Sequence, residues 1–326
     1  MQNCKIVKGK NQSVKIENGI IVSVESNGLP RLAKGKSRND ESVLDLKDAL
    51  IAPQFIDLNV FPKNKSLSRN SILSLEKKAK CGGVGFIALN SATNPAIDNE
   101  MAMEFVKNIS TEVAILPLIS SNVADLGGES INKKGDSKIC DITILNALGG
   151  VGINIDSARD ANTIDKVAKY AKMLDIPLFI NANDNLGGMI NCGELSAKLG
   201  IPARSPLSEI KEVAKMLEVA IFYDINAVFS AISEIRSLEL INQAKKHNPR
   251  IFAEVSIHHL ILDDSACENY NTSAKINPPL KDKRTRDKLL ESLQNGNIDI
   301  LTSLQCAHFN SKKELPFGDA EYGIDG

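Results

Sequence analysis

From Ala52 onward the chain repeats one rhythm, a short apolar run followed by a polar stretch of helix length, and this alternation constrains the fold more than any other feature. The apolar runs are Phe55–Val60, Gly85–Leu89, Ala114–Ile119, Val151–Ile155, Pro177–Ile180, Ala227–Ile232, Ile251–Val255 and Ile298–Leu301. Between them, Ser71–Lys80, Thr163–Leu174 and Glu209–Tyr223 set apolar residues three and four apart, the period of a helix with one buried face. Eight strands alternating with helices predict an α/β fold of the (β/α)8 TIM type; periodicity alone leaves a six-stranded open sheet as the alternative. The start of the chain reads differently. Lys5–Val7, Val14–Ile16, Gly19–Val24 and Ser42–Leu46 are β-like, Asn18-Gly19 is a hairpin-turn signal, and the charged residues 31–41 read as a solvated loop. The predicted organisation is a small N-terminal β-subdomain over residues 1–52 and a barrel over residues 53–326.

Composition removes several function classes. A chain of 326 residues with 43% hydrophobic content can bury a core, which excludes intrinsic disorder. Lysine and arginine number 39 against 40 acidic residues, so no basic excess exists to neutralise phosphates and no nucleic-acid partner is expected. No apolar stretch reaches the roughly eighteen residues of a membrane span, and residues 1–20 lack a signal-peptide apolar region, so no membrane partner is expected. Cys4, Cys81, Cys140, Cys192, Cys267 and Cys306 are scattered without a C-x-x-C pair, the pattern of reduced thiols in a cytoplasmic protein. The four histidines, His247, His258, His259 and His308, limit any metal-site proposal.

Local motifs are sparse. There is no Walker loop, no G-x-S-x-G elbow and no H-E-x-x-H. Gly82-Gly83-Val84-Gly85 leaves a helix and enters a strand, so it reads as a helix C-cap and not as a dinucleotide-binding turn. His258-His259 follows a strand; neighbours on a strand point to opposite faces, so the pair reads as one buried imidazole and one near the barrel mouth. His247 is expected at a helix end and His308 alone in a polar loop. Asn277-Pro278-Pro279 is a rigid turn that could offer the Asn277 amide to a ligand.

Several segments together resemble dihydroorotases of the cyclic amidohydrolase superfamily. "IAPQFIDLNV" (Ile51–Val60) is similar to the family's "vaPGFIDLHVHLR", and "ATNPAIDN" (Ala92–Asn99) to "NTNPPIDN". "NCGELSAKLGIPARSPLSE" (Asn191–Glu209) resembles "NEGEVSALLGLPGRAPEAE", and "AEVSIHHL" (Ala253–Leu260) resembles "AEVTPHHL". "KINPPLKDKRTRDKLLESLQNGNIDIL" (Lys275–Leu301) and the final "PFGDAEYGIDG" also match, so the likeness runs through the whole chain. It implies a zinc-dependent barrel that closes carbamoyl-aspartate to dihydroorotate.

The positions that the resemblance assigns to metal and acid–base chemistry have changed. The His-x-His after the first barrel strand is Asn59 and Phe61 here. The ligand after the fourth strand falls on Ile155, beside Asp156; that after the fifth on Asn181; that after the sixth on Ala231. The catalytic Asp after the eighth strand falls on Leu304. The family's substrate-binding arginine aligns with Lys63, and an asparagine of its motif with Ala92. Lys63, Asn277 and His308 remain as vestigial substrate-binding candidates. Phe61, Ile155, Ala231 and Leu304 cannot ligate zinc, and asparagine is a poor substitute for imidazole. Zinc lowers the pKa of its bound water from about 15.7 to about 7, worth about 12 kcal/mol of nucleophile activation at ~1.36 kcal/mol per pH unit. General acid–base help, about 10²–10⁴-fold, does not replace that.

Resemblance therefore implies a catalytically inactive member with no metal and no cofactor, and with its site refilled as core. Some inactive members of the family that it resembles assemble with aspartate carbamoyltransferase, so the resemblance makes that enzyme the expected partner and an oligomer the expected state. A rival reading is an altered hydrolase using Asp156, Asn181, Asp184, Asn277 and His308; another is a sensor of a pyrimidine precursor using Asn277 and Lys63. About twenty residues follow the eighth strand, so the barrel is expected to be C-terminally curtailed relative to the family, exposing apolar surface that a partner could cover.

Overall fold

The computed structural model describes residues 4–8, 10–17, 20–26, 42–46, 48, 50–123, 138–184 and 186–325. Both the Asn18-Gly19 turn and residues 31–41 lie outside the described residues. The chain divides into two compact units, Met1–Gln54 and Phe55–Gly326.

The first unit holds one sheet of strands β1 (Cys4–Lys8), β2 (Gln12–Glu17), β3 (Ile20–Ser26) and β4 (Ser42–Asp45), in the order β3-β2-β1-β4. The pairs β1–β2 and β2–β3 are antiparallel and β1–β4 is parallel. Glu17 stands opposite Ile20 in the β2–β3 pair. The Asn11 side chain ties this unit's end down, donating to and accepting from the Ile51 backbone at 2.9 Å.

The second unit is a ring of parallel strands: β5 (Phe55–Val60), β6 (Val84–Leu89), β7 (Ala114–Pro117) continuing as β8 (Ile119–Ser120), then β9 (Ile153–Asp156), β10 (Leu178–Asn181), and, beyond a two-stranded pair β11 (Ile190–Asn191) and β12 (Ala203–Arg204), β13 (Ala227–Ser230), β14 (Ile251–Ser256) and β15 (Ile300–Thr302). Every pairing within the ring is parallel. It closes where the Phe61 N–H donates to the Gln305 carbonyl at 2.8 Å and the Thr302 hydroxyl to Asp57 at 2.6 Å. This is the predicted α/β architecture, a TIM-type barrel, and not the open sheet.

Helices among the described residues are α1 (Arg69–Cys81), α2 (Glu100–Lys107), α3 (Ile142–Ala147), α4 (Ala161–Leu174), α5 (Glu194–Leu199), α6 (Leu207–Tyr223), α7 (Ile235–Ala244), α8 (Ile257–Ile261), α9 (Lys283–Gln294) and α10 (Asn310–Lys313). The sequence marks their starts. Ser68, Asn99, Asp160 and Asp282 each accept a backbone N–H of the first turn, satisfying a donor the helix itself leaves free. At the end of α1, Gly83 takes φ +74°, the left-handed turn expected of the Gly82-Gly83 pair.

Two apolar layers follow from strand alternation. Ile87, Leu89, Ile153, Ile155, Ile180, Phe229 and Val255 face outward and pack with Ile72, Val167, Met216 and Ile241 of the helices. Ala88, Leu118, Phe179 and Val228, with Leu58, Phe252 and Ile300, fill the inside of the ring. There Gly152 is required by space, since a Cβ would lie 2.8 Å from the Phe179 ring.

Three expectations change. The predicted strand Ala114–Ile119 is two strands flanking Leu118, whose N–H pairs with the Leu89 carbonyl. The strand predicted to reach Ile232 ends at Ser230, because Ala231 turns to φ +52° and leaves the sheet. His258 and His259 lie on the short helix α8 and not on a strand, since the Ser256 hydroxyl caps it by accepting the His258 N–H at 3.1 Å. No helix among the described residues is long and apolar enough to cross a membrane.

Candidate functional site

At the C-terminal ends of the barrel strands lies a cavity of about 230 Å³, the face where barrels of this kind present their working side chains. The structure brings Asn59, Phe61, Asn181, Ala231, Leu304 and Asn277 to its lining. The expectation of a site refilled as core is therefore corrected. Ala231 is too small to fill the space left at its strand end, and amide side chains from neighbouring strands keep the wall polar. Asn90 and Asn154 join them, so the ends of the first, second, fourth and fifth barrel strands each supply an asparagine.

Ile155 is not in the cavity. It is fully buried in the layer between sheet and helices, and the inward position on β9 is Asn154, one residue earlier. Neither do Lys63 and His308 line it. The Lys63 ammonium lies 4.5 Å from the centre of the Phe309 ring, and Lys65, two residues on, reaches the cavity wall. His308 Nε2 lies 2.9 Å from the Tyr322 carbonyl oxygen, a bond the Nε2–H form donates; burial holds this imidazole below its usual pKa, so it is neutral near pH 7. Asn277 accepts from the Arg204 guanidinium at 2.5 Å. Asp156 accepts the Ala158 N–H at 2.9 Å, and burial pushes its carboxyl up. Burial also opposes the charge on Asp184, but Lys211 and the Ser208 hydroxyl hold its carboxyl below the usual range. The five groups of the altered-hydrolase reading do not converge: of them, only Asn181 and Asn277 share the cavity.

Beneath the floor runs a directed hydrogen-bond chain. The Ala92 N–H donates to Asn90 Oδ1 at 3.0 Å, Asn90 Nδ2 to Asn59 Oδ1 at 3.1 Å, and Asn59 Nδ2 to Glu254 Oε1 at 3.0 Å. Glu254 Oε1 also accepts the Ala231 N–H at 3.1 Å, while its Oε2 is buried without a partner. Burial, with Asp57 nearby, pushes this carboxyl up to about 7. Ala231 and Leu304 both hold left-handed backbone, φ +52° and +49°. For residues with a Cβ this costs about 1–2 kcal/mol each, a conformation of the kind that collects at functional strand ends.

A second buried cluster braces one flank. Glu209 accepts the Ser233 and Glu234 N–H groups, and Lys281 pairs with Glu234 at 2.5 Å. Burial pushes the Glu209 carboxyl up and holds the His259 imidazole down to about 3, so His259 is neutral, its Nε2 3.2 Å from the Pro278 carbonyl oxygen. This is the expected buried member of the histidine pair; His258 is half-buried.

Sequence reasoning missed Asn90, Asn154, Lys65 and Glu254. The first two had a signal, since each stands at a strand's C-terminal end like Asn59 and Asn181. Glu254 had none, because an acid within an apolar run does not reveal which face it takes.

Catalytic zinc needs about three imidazole, thiolate or carboxylate ligands. The polar groups at the strand ends are carboxamides and the Ser230 hydroxyl, and the rest of the lining adds one carboxylate, Glu321, with Lys65 and Tyr322; Cys306 has its thiol pKa pushed up by burial and its sulfur 3.6 Å from His308 Nε2. Among the described residues, no group of three or more His, Cys, Asp or Glu side chains is placed to hold a metal ion. The donor set does not fit zinc.

No family model matches the chain. Its relatives are informative. The dihydroorotase of Thermoanaerobacter sp. (strain X514) is 27% identical over 319 residues, covering 96% of this chain and 71% of that protein. The dihydroorotase of Clostridioides difficile (strain 630) is 28% identical over 334 residues, covering 100% of this chain and 77% of that protein. The chain is dihydroorotase-like. Solved structures agree at the level of the fold. L-Hydantoinase (dihydropyrimidinase) from Arthrobacter aurescens superposes with a TM-score of 0.76 at 15% identity, over 100% of this chain and 75% of its own. D-Hydantoinase (dihydropyrimidinase) from Thermus sp. gives 0.74 at 16%, over 99% and 74%. The dihydroorotase-like chain thus shares the barrel fold of these hydantoinases, with asparagines at its mouth.

Proposed function

We propose that this is a non-catalytic dihydroorotase-like protein of pyrimidine biosynthesis, working in the cytoplasm as a scaffold or partner of aspartate carbamoyltransferase. One observation carries the non-catalytic half: the inward groups at the strand ends are carboxamides, a hydroxyl and apolar side chains, which neither ligate zinc nor ionise near neutral pH. The buried acid beneath the floor, Glu254, is engaged by Asn59 and the Ala231 N–H. The partner half rests on the resemblance alone. The barrel is kept while the chemistry of its mouth is not, which fits a protein used for its surface.

Two measurements test the two halves. Metal analysis of the purified protein, with a dihydroorotate ring-opening assay, is expected to find no stoichiometric zinc and no turnover; zinc together with turnover overturns the non-catalytic reading. Co-expression with aspartate carbamoyltransferase is expected to give co-elution on size exclusion. Separate elution at micromolar concentration overturns the partnership.

A further inference from the structure

We propose that the barrel-mouth cavity is a binding site for a small uncharged molecule whose polar groups are donors and acceptors at once, hydroxyls or carboxamides, and that it discriminates against carboxylates. The inference does not rest on the scaffold reading, since a ligand could be held with or without a partner protein.

Three observations lead there. The first is unspent hydrogen-bonding capacity. The Asn154 and Asn181 side chains and the Ser230 hydroxyl face the cavity and make no hydrogen bond to any described residue, and Asn277 uses only its Oδ1, on Arg204. Each carboxamide offers two donors and an acceptor side by side, which a diol or an amide answers with a two-point contact. Second, the floor is rigid. Asn59 and Asn90 are oriented by the chain running from the Ala92 N–H to Glu254, so their amides cannot turn freely. Preorganised groups lose little freedom when a ligand arrives.

Third, the charges cancel. Lys65 is the lysine of the lining and Glu321 the carboxylate, while the Lys63 ammonium lies over the Phe309 ring. Arg204, on the neighbouring flank, spends Nε on the Gly188 carbonyl and Nη1 on Asn277, which leaves no bidentate fork aimed at the cavity. A carboxylate brought here would meet the Glu321 carboxylate as well as the single Lys65 ammonium, with no bidentate fork to offset its lost water. The volume of about 230 Å³ falls below that of drug-sized pockets, which run about 300–1,000 Å³, and sets the ligand at a single small ring or a short chain.

The test is saturation-transfer NMR and calorimetric titration of the full chain, with chelator present throughout. Malonamide and malonate are matched in shape and differ in charge, and D-ribose supplies the hydroxyl arm. Expected is binding of malonamide or ribose, with malonate about tenfold weaker or absent; the tighter neutral probe names the ligand's chemistry. Asn154→Leu is expected to weaken that probe about fivefold, the loss of one or two net hydrogen bonds, and Asn181→Asp, which keeps the shape, to weaken it similarly. Thermal melts confirm that both variants fold. Malonate binding as tightly as malonamide, silence from both neutral probes, or unchanged affinity in folded variants overturns the proposal. Failure of the non-catalytic reading would instead show as zinc and turnover, and failure of the partnership as separate elution, neither of which these titrations measure.

Discussion

Glu254 sits fully buried under the cavity floor, where desolvation pushes its carboxyl from the usual 4.5 up to about 7. The sign of its effect on stability follows from proton counting. Between those values the unfolded chain has released a proton that the folded chain keeps, so stability falls as pH rises, and above pH 7 the fold carries a constant penalty. At ~1.36 kcal/mol per pH unit that penalty is about 3 kcal/mol. Glu254→Gln keeps the acceptor for Asn59 and Ala231 but cannot ionise. The change in urea-unfolding free energy between pH 5 and pH 8 is expected to be about 2–3 kcal/mol less unfavourable in the variant than in the parent. Identical pH profiles would mean that the acid is ionised in the fold. At this scale the sequence was only partly readable. Asn59, Asn181, Ala231 and Leu304 were found through the resemblance, and all line the cavity. Ile155 was assigned to the family's ligand position by alignment, yet it faces the helices and Asn154 faces the cavity, because a one-residue step along a strand changes faces.

The helices and strands were more legible. Apolar periodicity placed the ends of α1, α4 and α6 to within two residues, since a helix between barrel and solvent must have one apolar stripe. Their exact starts depend on capping chemistry. Asp160 accepts the Thr163 N–H at 2.9 Å and the Thr163 hydroxyl at 2.6 Å, and that hydroxyl bond first, then the N–H, holds its carboxyl below the usual range. Asp160→Ala is expected to cost about 1 kcal/mol of stability and Asp160→Asn much less, read as the shift in urea midpoint at constant slope. Equal losses in both would show that charge, not capping, matters there. The strand ends were less legible, because φ +52° at Ala231 and +49° at Leu304 leave no trace in residue type. Glycine or asparagine would have advertised those turns; alanine and leucine conceal them.

Over the whole barrel, the segment after β15 is held by two lysines whose role no local pattern announces. Lys275, 2% exposed, donates its three protons to the carbonyls of Phe317 at 2.6 Å, Gly318 at 3.2 Å and Ala320 at 2.6 Å. Lys313 donates to the carbonyls of Glu321 at 2.9 Å and Gly323 at 2.8 Å. Together they fix Glu321, Tyr322 and Gly323, which line the cavity. Lys275→Met would strand three carbonyls, so a loss on the order of 3 kcal/mol is expected, with early proteolytic cleavage beyond Phe309. Unchanged proteolysis would assign the segment's order to other contacts. The sequence by itself determined an α/β fold of alternating strands and helices, because apolar runs and one-sided helices can be buried together in few ways; that the strands close into a ring and not an open sheet was decided by the pairing of the first and last barrel strand ends. It also determined the likeness to dihydroorotases and the changes at the family's ligand positions, since both are matters of residue identity. Only the tertiary structure decided that those changes leave a cavity and not a core. Which side chains face inward depends on strand register and on two left-handed residues, and whether space is filled depends on volumes contributed by strands far apart in the chain.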